Sequence, residues 1–154
     1  MNRLSTFGVR FLASGFFSGH IPFAPGTFGT LAAIPLYLLL ISVLQGWWYA
    51  GAVVALTVAA IWISGLAEKI YARKDPPQVV IDEIAGFMLT MIAVPPSALY
   101  IILGFVLFRI FDILKPQPAG WINDHMRGGS GIVLDDIVAG LYANIVLQFL
   151  YRIL

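Results

Sequence analysis

"FGTLAAIPLYLLLISVLQGWWYAGAVVALTVAAIWISGL", residues 28–66, carries no charged side chain and has a single break, Gln45-Gly46. A helix crosses the hydrocarbon layer with about 20 predominantly apolar residues, so this stretch holds two crossings back to back. Phe28 to Leu44 forms the first and Trp47 to Leu66 the second. Trp47, Trp48 and Tyr49 follow the break, where amphipathic rings anchor a helix at the membrane interface. The charge-free interval is wider still, from Arg10 to Glu68.

The rest of the composition agrees. The chain of 154 residues is 60% hydrophobic and 11% charged, with a mean hydropathy of +0.90. Soluble domains carry about a quarter charged residues. The sequence therefore reads as a membrane protein, a single integral-membrane domain over residues 1–154. A net charge of +1 from nine scattered basic residues gives no basic stripe and no footing for nucleic acid. With no cysteine there is no disulfide, no thiolate nucleophile and no cysteine-type zinc site. The N-terminus has the basic start and apolar stretch of a signal peptide, but "SGHIPFAPG" is a poor cleavage site, so it reads as part of the mature protein.

Outward from the first two spans, Phe7 to Ser18 is too short to cross and predicts an interfacial or re-entrant helix. "GHIPFAPGTFGT" is a Gly/Pro loop. After the polar loop "EKIYARKDPPQ", Val79 to Val94 predicts a third span, "PPS" a turn, and Ala98 to Leu114 a fourth. "KPQPAGWINDHMRGGSG" leads into a fifth, Ile132 to Leu154. The expected fold is all-α: a polytopic transmembrane helical bundle of about five spans plus the short N-terminal helix.

Counting sides places the acids. If each span crosses once, the 67–78 loop, the Arg109–Asp112 end and the 115–131 loop share one face. Lys69, Arg73, Lys74, Arg109, Lys115 and Arg127 crowd that face, while the opposite one has only "QG", "PPS" and Arg152. The Lys/Arg bias marks the crowded face as cytoplasmic.

At that face "VVIDEIAG" sets Asp82 beside Glu83, and "GIVLDDIVAG" sets Asp135 beside Asp136. One such pair could serve only as favourable charge at a helix N-terminus. Two pairs with similar flanks, plus Asp112 on the returning helix, point to metal binding. Clustered carboxylates repel one another unless a cation sits between them. Mg²⁺ suits such a cluster, because it takes oxygen ligands from a few carboxylates and shares the remainder with substrate phosphate.

In "FRIFDILKP", Arg109, Asp112 and Lys115 follow at intervals of three. Alone this is an ion pair with a snorkelling lysine. Beside an acid cluster it supplies a planar fork and a point charge for phosphate. "RGGSG", residues 127–131, offers Arg127 and the amides of Gly128 and Gly129 as an anion cradle before a helix. "APGTFGT" has the same character, with Thr27 as a hydroxyl donor. His20, alone in a Gly/Pro loop, reads as an interfacial polar group.

"SGHIPFAPGTFGTLAAIP" (18–35), "VVIDEIAGFMLTMIAVP" (79–95), "FRIFDILKPQP" (108–118) and "RGGSGIVLDDIVAG" (127–140) together resemble the phosphatidylglycerophosphatase A family of bacterial membrane lipid phosphatases, in order and spacing. The resemblance implies Mg²⁺-dependent hydrolysis of phosphatidylglycerophosphate to phosphatidylglycerol and phosphate at the cytoplasmic side of the inner membrane. Asp82, Glu83, Arg109, Asp112, Lys115, Asp135 and Asp136 stand where the family has its charged residues. One departure is Asn123, followed by Asp124, where the family pattern would place an acid after the loop tryptophan.

The mechanism expected from both lines puts one or two Mg²⁺ ions on Asp82, Glu83, Asp112, Asp135 and Asp136, which are also the catalytic candidates. Arg109, Lys115, Arg127, Gly128, Gly129 and Thr27 would bind the phosphate, and the metal would either activate water or orient a carboxylate attacker. Two rival readings make other demands. An ion or metal transporter would distribute acids through the membrane depth, and an assembly subunit would tolerate loss of charge without loss of turnover.

Overall fold

A polypeptide inside a bilayer has no water to satisfy its amides, so its apolar stretches close their hydrogen bonds within helices. The computed structural model describes residues 3–153, and every regular element among them is helical. In chain order these are α1 (Arg3–Ala13), a 3₁₀ turn (Ser18–His20), α2 (Pro25–Val43), α3 (Trp47–Tyr71), α4 (Ile81–Thr90), α5 (Ala98–Leu114), α6 (Ala119–His125) and α7 (Gly128–Ile153). Three of them, α2, α3 and α7, are long and apolar enough to cross a membrane.

Several boundaries differ from the expected ones, each for a physical reason. Apolar residues continue to Val94, but α4 stops at Thr90, because Ala93 adopts a left-handed conformation (φ 55°) and two prolines follow. The ten-residue α4 is about 15 Å long. It is buried on nearly every side, from Ile81 and Asp82 to Met88 and Thr90, packed among α2, α3, α5 and α7. The last helix starts at Gly128, not Ile132, so the "GGSG" of "RGGSG" is its first turn rather than a loop. Leu154, the expected end of that span, lies outside the described residues. The 115–131 segment holds the short helix α6, which the sequence reading treated as loop.

Because lipid tails are as apolar as leucine, helices in a bilayer associate through close packing and small residues. The crossing of α4 and α7 is such a case. A Cβ on Gly140 would lie 2.4 Å from the Gly86 carbonyl oxygen, and one on Gly86 would lie 2.5 Å from the Phe108 ring. Polar bonds fasten the same crossing: Asn144 Nδ2 donates to the carbonyls of Thr90 and Ile92, both at 2.8 Å. Tyr49, near the start of α3, donates its hydroxyl to Met88 O at 2.8 Å. Trp47, Trp62, Ile102, Ile145 and Phe149 are left exposed around the outside, as a lipid-facing surface requires.

The N-terminal helix α1 has 11 residues, too few to cross. It leans on α3, with the Arg10 guanidinium 5.4 Å from the centre of the Tyr71 ring. Its last residue is tied to the segment before α4, where Val80 N donates to Ala13 O at 2.8 Å. Val79, Ile81, Ala85, Ile132 and Val133 form an apolar layer with Ala60, Ile63 and Ala67 of α3. The candidate site is built on this layer.

Candidate active site

Three helix ends converge on one cavity of about 300 Å³. The first turn of α4 brings Asp82 and Glu83, the last two turns of α5 bring Arg109 and Asp112, and α7 brings Asp135 and Asp136 from two turns inside its start. Lys115 follows α5 in a left-handed conformation (φ 44°) that ends the helix. Its ammonium binds Asp135 Oδ2 and, at 3.2 Å, Asn123 Oδ1. The seven charged residues singled out from "VVIDEIAG", "FRIFDILKP" and "GIVLDDIVAG" thus share one cavity.

Within it the charges divide. Arg109 Nη1 lies 2.6 Å from Asp112 Oδ2 and 3.9 Å from Glu83 Oε1. Asp135 is taken by Lys115. Burial lowers the proton affinity of that ammonium, but the bond to Asp135 and the charges of Asp135, Asp136 and Asp112 outweigh it and hold Lys115 above the usual lysine range. Among the described residues Asp82 and Asp136 form no ion pair, and Glu83 has only the 3.9 Å contact with Arg109. One carboxylate oxygen each from Asp82, Glu83 and Asp136 falls within 4.8 Å of the others. Asp82 and Asp136 are only 6% and 4% exposed, and Asp82 Oδ1 and Glu83 Oε2 have no hydrogen-bond partner among the described residues.

This donor set fits a hard divalent cation. Oxygens at about 2.1 Å from Mg²⁺ stand about 3 to 4 Å from one another, and the three here lie within 4.8 Å of one another. Buried carboxylates without donors are costly unless a cation or protons neutralise them. Asp82, Glu83 and Asp136 face one another, whereas Asp112 pairs with Arg109, which also lies near Glu83, and Asp135 pairs with Lys115.

Arg127, Gly128, Gly129 and Thr27 are not in the cavity wall, contrary to the sequence reading. Because α7 begins at Gly128, that turn packs on α3: a Cβ on Gly129 would lie 1.7 Å from Ile61 O. Arg127 and Gly128 line a separate small crevice with Glu68 and Lys74. At the start of α2 the wall is formed by Gly26, not Thr27. A Cβ there would lie 2.2 Å from Glu83 Oε1 and 3.0 Å from Arg109 Nη1, so only glycine lets α2 approach the charges.

Two charged wall residues were missed, Arg73 and Asp75. Their signal was the charge run "ARKDPP", which reads equally well as a solvated loop. Asn123, the departure from the family pattern, accepts hydrogen bonds from both Lys115 and Lys74, through its side chain and its carbonyl. His20 lies 3.4 Å from the Tyr71 hydroxyl, outside the acidic cavity.

Fold and site together define a helical protein with membrane-length spans, whose rim cavity opposes buried carboxylates to an arginine and a lysine. That is the equipment of phosphoryl transfer on a lipid. The phosphatidylglycerophosphatase A family model matches residues 11–151, and the chain belongs to that family. It is 38% identical to phosphatidylglycerophosphatase A of Escherichia coli, over 90% of this chain and 81% of the relative. The Haemophilus influenzae phosphatidylglycerophosphatase A is also 38% identical, over 90% of this chain and 85% of its own. A Bacteroides thetaiotaomicron protein provisionally named a phosphatidylinositol-3-phosphatase is 41% identical, over 88% of this chain and 89% of its own. No solved structure gives a significant match.

Proposed function

We propose that the protein hydrolyses phosphatidylglycerophosphate to phosphatidylglycerol and inorganic phosphate in a Mg²⁺-dependent reaction at the cytoplasmic rim of the bacterial inner membrane. Water supplies the hydroxyl that ends on phosphorus and the proton that ends on the glycerol oxygen. The observation that carries the metal is the Asp82, Glu83 and Asp136 cluster, three acids at one point, with unpartnered buried oxygens on Asp82 and Glu83. Bound there, Mg²⁺ would neutralise phosphoryl oxygens. Arg109, oriented by Asp112, presents its fork to the same phosphate, and Lys115, held by Asp135, adds a fixed positive charge.

Five passes are part of this reading. The Met91–Val94 turn after α4 shares a pocket with Gly46 and Trp47, at the end of the bundle away from the acids. The short α4 and its turn therefore connect both ends, and α5 returns to the cavity. The Lys/Arg excess at the cavity end orients that end to the cytoplasm.

A transporter is disfavoured, because the intramembrane acids gather at one end of the bundle, around a single cavity that also holds Arg73, Arg109 and Lys115. The experiment is phosphate release from phosphatidylglycerophosphate by the purified protein with Mg²⁺ or with EDTA. The expected result is turnover that EDTA abolishes, Mg²⁺ restores and Asp136→Asn lacks. Full turnover in EDTA, or an Asp136→Asn variant at wild-type rate, overturns the metal site.

A further inference from the structure

The substrate of this reaction carries two phosphates, the terminal monoester that is removed and the phosphodiester that joins the two glycerols. The cavity accounts for the first. Its wall holds six carboxylates and three cations, Arg73, Arg109 and Lys115. Two of the cations are committed to acids, Arg109 to Asp112 and Glu83, and Lys115 to Asp135. Among the described residues no carboxylate forms an ion pair with Arg73, although Asp75 stands two residues away.

Arg73 is exposed, at the mouth, while Asp82 and Asp136 lie deep. Its loop is braced rather than free. Ala72 and Asp75 adopt left-handed conformations (φ 50° and 47°) that turn the chain back. Pro76 is fully buried, and Val79 N donates to its carbonyl at 2.9 Å. Lys74 donates to Asn123 O at 3.1 Å and fastens the loop to α6.

We infer that Arg73 is the residue that recognises the phosphodiester of the substrate. With the monoester at the acid cluster, the diester one glycerol away lies toward the mouth. An uncommitted guanidinium there offers it a planar pair of donors. This assigns headgroup selectivity to the 72–78 loop: lipids with a monoester but no diester lose this contact. The assignment rests on the reading of the cavity as the phosphate-releasing site.

The two products separate the two subsites, because phosphatidylglycerol keeps the diester, and inorganic phosphate is the group released from the monoester. The experiment measures inhibition of the purified enzyme by phosphatidylglycerol in mixed micelles and by inorganic phosphate, for wild type, Arg73→Ala and Arg73→Lys. The expected result for Arg73→Ala is a phosphatidylglycerol inhibition constant raised about tenfold, the size of one lost charge-assisted contact. The phosphate constant stays within about twofold, and the loss of turnover is carried by KM rather than kcat. Arg73→Lys recovers part of the effect. Equal shifts for both products, or none for phosphatidylglycerol, overturn the assignment. Failure of the phosphatase reading shows separately, as a wild-type protein that releases no phosphate.

Discussion

Arg109 and Asp112, one turn apart on α5, form the tightest guanidinium pair of the site: Nη1 lies 2.6 Å from Oδ2, and both side chains are largely buried. Three residues is the interval that brings helical side chains together. Here it sets the fork beside Glu83, at the edge of the acid cluster. A lysine in its place would keep the charge and lose the geometry. Arg109→Lys should therefore lower kcat/KM for phosphatidylglycerophosphate about 10²-fold or more, in line with the loss of one preorganised donor. A steady-state assay checks it, and activity within about threefold of wild type would remove Arg109 from phosphate binding.

Lys115 and Asp135 make a different test, because each is the other's partner below the rim. Breaking a buried pair leaves one charge uncompensated and costs about 3 to 5 kcal/mol in a fully buried setting. The Lys115 side chain is 30% exposed, so solvent reduces that figure here. Asp135→Asn and Lys115→Met should each lower the thermal midpoint in detergent. The double variant should recover most of the stability and none of the activity. If the double variant is as unstable as the sum of the two, the pair has no coupling and the division of charges described above is wrong.

Gly140 should tolerate no side chain. A methyl group there meets the Gly86 carbonyl at 2.4 Å, and backbone cannot yield as a flexible side chain does. Gly140→Ala should destabilise by about 1 to 3 kcal/mol or more, as overpacking does, and should displace Asp136 one turn away. Gly51→Ala is the control, since nothing lies within 4 Å of its added Cβ. Thermal unfolding and phosphate release would be measured on both. A Gly140→Ala protein as stable and active as Gly51→Ala would show that α4 and α7 do not cross so closely.

Which parts of this were legible in the sequence follows from where the information lies. Asp82, Glu83, Asp112, Asp135 and Asp136 stood out because a charge in an apolar run is conspicuous, and counting crossings placed them at one end. The shortness of α4 was not legible. A helix enclosed by other helices and one surrounded by lipid are both apolar all round, so the pattern from Val79 to Val94 does not distinguish them. The start of α7 was hidden because glycines that favour a loop also let two backbones touch, and Gly129 serves the second purpose against Ile61. Arg73 and Asp75 were passed over because a polar loop has no periodicity. Only the left-handed turns at Ala72 and Asp75 bring it over the cavity.

The number of crossings has a clean test, because the chain has no cysteine and any thiol introduced is unique. Gln45 and Pro96 are exposed beside the turns at the far end of the bundle, and Lys74 and Asp124 are exposed at the cavity end. Five passes put Gln45 and Pro96 together in the periplasm, and Lys74 and Asp124 together in the cytoplasm. If only α2, α3 and α7 crossed, α4 and α5 would have to return within one leaflet, and Pro96 would never reach the periplasmic face. Single cysteines at these four positions should therefore react with an impermeant maleimide in two groups: Gln45→Cys and Pro96→Cys in intact spheroplasts, and Lys74→Cys and Asp124→Cys only in inverted vesicles. Labelling of Pro96→Cys with the second group would overturn the five-pass topology while leaving the acid cavity in place. Labelling of Lys74→Cys in spheroplasts would reverse the orientation and put the cavity on the periplasmic side.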